Sequence, residues 1–139
     1  MTTLIDTDTL FALVIETDHL HARTLALSER VNQHSDIIIC MLPTTLGEFS
    51  TLATLRLGFD RSQYFTRTIL HAGFRLLDIT ESLVIEANAL LQKQTSKENS
   101  LFDCYMMIAA QRLSADCIFS FDKGYKQNGF TLLEEYLAR

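Results

Sequence analysis

The sequence predicts an α/β protein: a three-layer α/β/α sandwich around a central parallel sheet of about four or five strands. Three observations predict it. Short apolar runs alternate along the chain with longer stretches whose apolar residues recur at helical spacing, the pattern of strands and crossover helices. Ile37-Ile38-Ile39-Cys40 is apolar throughout, as a strand covered on both faces should be. One proline and five glycines leave no flexible linker, so residues 1–139 read as one domain with room for a core.

The elements follow in order. Thr3 to Asp6 reads as a buried strand, and Thr7 to Ile15 as a helix with Leu10, Leu13 and Val14 on one side. Asp18 or His19 starts a second helix to about His34, with Leu20, Leu25, Ala26 and Val31 facing inward. After the strand Ile37–Cys40, Pro43 marks a helix start and Gly58 its end. Asp60 caps the next helix, with Tyr64, Phe65, Ile69 and Leu70 inward and Gly73 as terminator. Phe74 to Ile79 suits a third strand. Thr80 caps a helix to about Gln94, marked by Leu83, Val84, Ala87, Leu90 and Leu91. A polar break from Thr95 to Ser100 precedes a helix from Leu101 to Leu113. Cys117 to Phe121 is a fourth strand, and Phe130 to Leu133 reads as a fifth.

Composition narrows the function classes. A hydrophobic content of 47% with 21% charged residues describes a folded chain rather than a disordered one. No basic region followed by an apolar stretch opens the chain, and no apolar run approaches the roughly 20 residues of a membrane span. Cys40, Cys104 and Cys117 are odd in number, sit in apolar settings and fit no zinc spacing, which suits buried thiols in a reducing cytoplasm. A net charge of −5 argues against binding nucleic acid through overall charge.

Four acids stand where the chain leaves a strand or enters a helix: Asp6, Glu48, Asp103 and Asp122. A carboxylate beside an apolar run costs free energy unless it is paired or binds a cation. Ligands of parallel α/β sheets bind beyond the carboxyl ends of strands, and Asp6 and Asp122 both fall at such ends. Convergence of the four would point to a hard divalent cation and to hydrolysis assisted by it. Each acid also has a plain reading. Asp6 and Asp8 suit helix caps, Glu48 a solvated helix face, Asp103 a favourable charge in a first helical turn, and Asp122-Lys123-Gly124 a turn. The histidines, at 19, 21, 34 and 71, have no motif context.

These residues carry a resemblance. Leu4-Ile5-Asp6-Thr7-Asp8-Thr9-Leu10, Glu48 within Thr45-Leu46-Gly47-Glu48-Phe49, Asp103 within Leu101-Phe102-Asp103-Cys104-Tyr105, and Phe119-Ser120-Phe121-Asp122-Lys123-Gly124-Tyr125 resemble the successive motifs of PIN-domain ribonucleases. In length and layout the chain is most similar to the VapC-like toxins of toxin–antitoxin pairs. The resemblance implies a PIN-like fold and an endoribonuclease that hydrolyses RNA phosphodiester bonds using Mg2+ or Mn2+. It implies Asp6, Glu48, Asp103 and Asp122 as catalytic and metal-binding acids, with Ser120 and Asp8 in support. Tyr125 stands where the family usually has an aromatic residue. Arg56 and Lys123 are candidates for contacting RNA. The resemblance also implies a cognate antitoxin, homodimerisation, a cytoplasmic location and no membrane association. Housekeeping PIN nucleases share these motifs.

Rival readings start from the same residues. Asp6-Thr7-Asp8-Thr9 resembles the nucleophile loop of haloacid-dehalogenase-type phosphatases, with Asp6 as nucleophile and Asp8 as general acid. That reading leaves Glu48 and Asp103 without roles. A receiver-type signalling domain would use Asp78 as phosphoacceptor but lacks the expected late lysine. A decayed nuclease that only pairs with a partner would not need all four acids.

Overall fold

The computed structural model describes residues 1–139 throughout. Four strands form one parallel sheet: β1 (Thr2–Ile5), β2 (Ile38–Met41), β3 (Arg75–Leu76) and β4 (Cys117–Phe119), in the order β3-β2-β1-β4. Eight helices connect and flank them: α1 (Thr7–Val14), α2 (His21–Asn32), α3 (Pro43–Leu57), α4 (Phe59–Leu70), α5 (Glu81–Gln92), α6 (Leu101–Arg112), α7 (Lys123–Gln127) and α8 (Leu133–Leu137). The three-layer arrangement is the expected one. β1 lies between β2 and β4, with Leu4 opposite Cys40 on one side and Ile118 on the other.

Alternation along the strands sends side chains to two cores. Leu4, Cys40 and Ile118 face α5 and α6, where they pack with Leu83, Ala87, Met107 and Tyr125. Ile5, Met41, Cys117 and Phe119 face α1 to α4 and α8, where they pack with Leu10, Phe11, Phe49 and Ile69. All three cysteines are free and buried. No helix is long and apolar enough to cross a membrane.

Several starts and stops follow from local chemistry. Pro43 opens α3, where its missing N–H costs nothing. Gly58 ends α3 at φ +88°, a conformation that other residues rarely adopt. The Thr80 hydroxyl accepts the Leu83 N–H at 3.2 Å and caps α5.

The structure departs from the sequence reading at identifiable places. The third strand shrinks to two exposed residues at the sheet edge; Leu77 still donates its N–H to the Met41 carbonyl at 2.9 Å, while the side chains of Phe74, Leu77 and Ile79 pack against the cores. Because β3 pairs only with the last two residues of β2, Ile38 at the start of β2 is exposed. The expected fifth strand is one isolated bridge between Leu132 and Ile118, since Leu133 already begins α8. β4 ends at Phe119, before Ser120 and Phe121. On α2 the buried residues are Thr24, Leu27 and Val31, so Leu25 and Ala26 face outward. On α4 the buried residues are Ser62 and Ile69, while Tyr64 and Leu70 are exposed. Asp60 lies inside the first turn of α4 and does not cap it, because Gly58 ends one helix and leads directly into the next. The short α7, between Asp122 and Asn128, is an addition to the reading.

Candidate functional site

The carboxyl ends of β1 and β4 lie side by side, and Asp6 N–H donates to the Phe119 carbonyl at 3.1 Å. Asp6 is therefore fixed where β1 turns into α1. Its Oδ1 caps α1 by accepting the Thr7 N–H at 2.8 Å. Its Oδ2 accepts the Tyr125 hydroxyl at 2.7 Å and lies 3.3 Å from Ser120 Oγ. The residue is only 7% exposed. Burial, followed by the charge of Asp8, lifts its carboxyl to a pKa of about 7; the Tyr125 hydrogen bond works against that rise.

Asp8 lies at the heart of the site. Its oxygens accept the Thr9 N–H at 2.7 Å and the Phe121 N–H at 3.1 Å, and both lie 3.2 Å from Ser120 Oγ. Burial raises its pKa, and these hydrogen bonds restrain the rise. The Ser120 hydroxyl has one proton for two carboxylates, while its oxygen accepts the Asp122 N–H at 3.1 Å.

Asp103 enters from α6. Its Oδ2 accepts the Ser100 N–H at 2.7 Å, and Ser100 Oγ in turn caps Asp103 N–H, a capping box. Its Oδ1 faces the Tyr125 hydroxyl at 3.3 Å. One tyrosine hydroxyl thus stands between carboxylates from β1 and α6. Glu48, on the early part of α3, accepts the Thr7 hydroxyl at 3.1 Å through Oε1. Burial raises its pKa, and the charge of Asp103 adds to that rise. A cavity of about 700 Å3 adjoins it, lined by Thr7, Glu48, Thr51, Leu52, Leu55 and Phe102.

The other named residues sit differently. Asp122 is exposed and caps α7, its Oδ1 accepting the Gly124 N–H at 2.8 Å; it joins the site through its backbone bond to Ser120. Lys123, the first residue of α7, is exposed next to it. Arg56 lies over the Phe11 ring at 5.0 Å and lines a cavity with Thr17, Asp18 and His19 that none of the four acids borders. Asp78 is exposed beyond the sheet edge. The phosphatase reading needs Asp8 free to act as a general acid, yet backbone and hydroxyl donors hold both its oxygens.

The residues fit a hard cation in kind. The converging donors are carboxylate and hydroxyl oxygens, as magnesium and manganese prefer. None of the ion pairs in the structure includes Asp6, Asp8, Glu48, Asp103 or Asp122. As the side chains stand, no three acidic, histidine or cysteine groups form a metal-holding cluster. The Tyr125 hydroxyl lies between two of the acids, and Asp122 is turned to its own helix.

Two contributors were given no role by the sequence, Thr7 inside the first motif and Asn99 outside all of them. Thr7 positions Glu48 through its hydroxyl. Asn99, buried in the polar break, presses Oδ1 against Gly124; a Cβ there would meet it at 2.4 Å. The cue was a lone asparagine before a helix start, which alone does not separate a packing role from a turn.

No curated protein matches the chain. Solved structures do. The VapC20 toxin of Mycobacterium tuberculosis, described as cleaving the sarcin–ricin loop, superimposes with a TM-score of 0.82 at 21% identity, covering 94% of this chain and 97% of that one. VapBC-1 of nontypeable Haemophilus influenzae gives 0.68 at 18% identity, covering 95% of this chain and 96% of that one. VapBC2 of Rickettsia felis, bound to a promoter DNA fragment, gives 0.67 at 11% identity, covering 95% and 97%. These likenesses establish a shared fold. The PIN-domain family model matches residues 3–130, and the chain belongs to the PIN-domain family.

Proposed function

We propose that the protein is a metal-dependent endoribonuclease of a single PIN-like domain, acting as the toxin of a toxin–antitoxin pair. The observation that carries this reading is the meeting of Asp6 and Asp103 on one tyrosine hydroxyl, with Asp8 and Glu48 beside them and no basic side chain paired to any. Asp6 is buried and the other three are half-buried, and a cation would relieve this concentration of like charge.

Asp6, Glu48, Asp103 and Asp122 are the residues that would hold Mg2+ or Mn2+. A bound divalent cation would neutralise the acids and polarise a phosphodiester for in-line attack. The chain's own contribution is placement. Asp6 is fixed by strand pairing and its helix cap, and Asp103 by its capping box. Ser120 orders Asp6 and Asp8. Glu48 has one oxygen tied to Thr7, leaving Oε2 to orient the attacking water. Lys123 stands beside Asp122 to receive a phosphate. Arg56 would extend the RNA path over α3.

The partners follow from the surface and the family. Leu55, Phe59 and Tyr64, at 80%, 66% and 57% exposed, are apolar residues of α3 and α4 open to a partner, which suits a cognate antitoxin or a second copy in a homodimer. A cytoplasmic location accords with three reduced, buried thiols.

The test is cleavage of a mixed RNA pool with Mg2+, Mn2+ or chelator. Metal-dependent cleavage that disappears in Asp6→Asn supports the reading, and full activity in that variant overturns it. A neighbouring reading frame for a small DNA-binding protein that neutralises the activity separates a toxin from a housekeeping nuclease.

A further inference from the structure

The hydroxyl of Tyr125 serves no purpose in the packing of its ring. The ring is 1% exposed and embedded among apolar residues of the core between the sheet and α5–α6. A phenylalanine would fill the same space. A buried hydroxyl costs free energy unless it is bonded, and here its only partners are Asp6 Oδ2 at 2.7 Å and Asp103 Oδ1 at 3.3 Å.

The surroundings of α7 hold that hydroxyl in place. Asp122 caps the helix, and Gly124 lies so close to Asn99 that it has no room for a side chain. The Tyr125 carbonyl accepts both the Asn128 and the Phe130 N–H groups at 3.1 Å. The phenol therefore arrives at the two carboxylates from a rigid base. The opposite oxygens of those carboxylates are tied to Thr7 N–H and Ser100 N–H. Tyr125 is the one group common to the two acids, and its single proton serves Asp6 at the shorter distance while its oxygen stands against Asp103.

We infer that Tyr125 is a positioning residue, whose hydroxyl fixes the Asp6 carboxylate against Asp103 and so sets the affinity of this site for a divalent cation. This rests on the cation reading above. Groups that orient metal ligands typically contribute about 10–100-fold in affinity. A residue that merely filled the core would contribute nothing through its oxygen.

The test compares wild type, Tyr125→Phe and Asp6→Asn in calorimetric titration with Mn2+. Thermal melting in chelator accompanies it, to establish that each variant is folded. The expected result is Mn2+ binding by wild type, roughly 10-fold or more weaker binding by Tyr125→Phe, and none by Asp6→Asn. Mn2+ should also perturb the phenol absorption of wild type, and the loss of that difference band in Tyr125→Phe gives a readout independent of affinity. Equal affinity and an unchanged difference band in Tyr125→Phe overturn the inference while leaving the cation reading intact. A wild-type chain that takes up no Mn2+ overturns both.

Discussion

Ser120 Oγ lies 3.3 Å from Asp6 Oδ2 and 3.2 Å from each oxygen of Asp8, so one hydroxyl serves two neighbouring carboxylates. It can satisfy only one at a time, and the other keeps its remaining donors: Thr7 N–H and the Tyr125 hydroxyl for Asp6, Thr9 N–H and Phe121 N–H for Asp8. Ser120→Ala removes that donor and also orphans the Asp122 N–H. The expected outcome is a loss of about 1–2 kcal/mol, the usual cost of a buried bond whose partners are left unsatisfied. Urea unfolding in chelator measures it; an unchanged midpoint would show that water replaces the hydroxyl.

The pH dependence has a definite sign. The Asp6 pKa is raised to about 7 when folded, against an ordinary unfolded value of 3.8. The folded chain therefore binds this proton more tightly than the unfolded chain does. Its contribution to stability falls as pH rises from about 4 to about 7 and stays low above that. In chelator the chain should be more stable at pH 5.5 than at pH 8 by on the order of 1–3 kcal/mol, with a correspondingly higher melting temperature. A Tm that rises steadily across that interval would contradict the assignment.

Asp6→Asn isolates the same group. The amide keeps the shape and carries no charge; with its oxygen on the Thr7 N–H it presents its NH2 to the Tyr125 oxygen, leaving the phenol proton to Asp103. The variant should be more stable than wild type at pH 8 in chelator by roughly 1–3 kcal/mol and melt higher, with the difference shrinking as pH falls toward 5. Differential scanning calorimetry at several pH values checks it, and a uniformly destabilised variant would point to a structural role for the carboxylate.

Gly124→Ala should be costly although the backbone there is ordinary. A Cβ would meet Asn99 Oδ1 at 2.4 Å and Asp122 Oδ1 at 3.1 Å. Asn99 cannot simply swing away, because it is buried and its amide donates to Gln94 at 2.9 Å. Overpacking of this kind costs about 1–3 kcal/mol. The double variant with Asn99→Ala should recover part of the loss, and additive losses in a denaturant cycle would rule out the contact as the cause.

Leu55→Asp with Phe59→Ser tests the exposed apolar residues of α3 and α4. Both residues are exposed, so thermal stability should change by less than about 0.5 kcal/mol. Any self-association seen by analytical ultracentrifugation should weaken markedly. A large loss of stability instead would mean these side chains are packed within one copy.

Much of the fold was legible because α/β periodicity is written redundantly. β1, β2 and β4 announce themselves by short apolar runs, and α3, α5 and α6 by Pro43, Thr80 and Ser100 at their starts. The third strand misled because Phe74 and Ile79 are apolar for packing rather than for pairing. Leu25 and Tyr64 misled because apolar residues on a helix need not face its core, and Thr24 and Ser62 took the inner positions instead. In the site, residue types and chain order were readable, but the division of labour was not. Asp6, Asp103 and Asp122 are each caps as well as candidate ligands, so cap and ligand were never exclusive readings. The tie between Tyr125 and two acids depends on where a ring points, which spacing does not encode.

The central place of β1 has a consequence for synthesis. The first strand finds its second neighbour only when Thr3 meets Cys117 and Ile5 meets Phe119. Pairings so distant along the chain are slow to form and come late. Asp6 therefore has no Phe119 carbonyl, no Ser120 and no Tyr125 to hold it until those residues have left the ribosome. A nascent chain stopped before them carries the first acids without the scaffold that holds them in place.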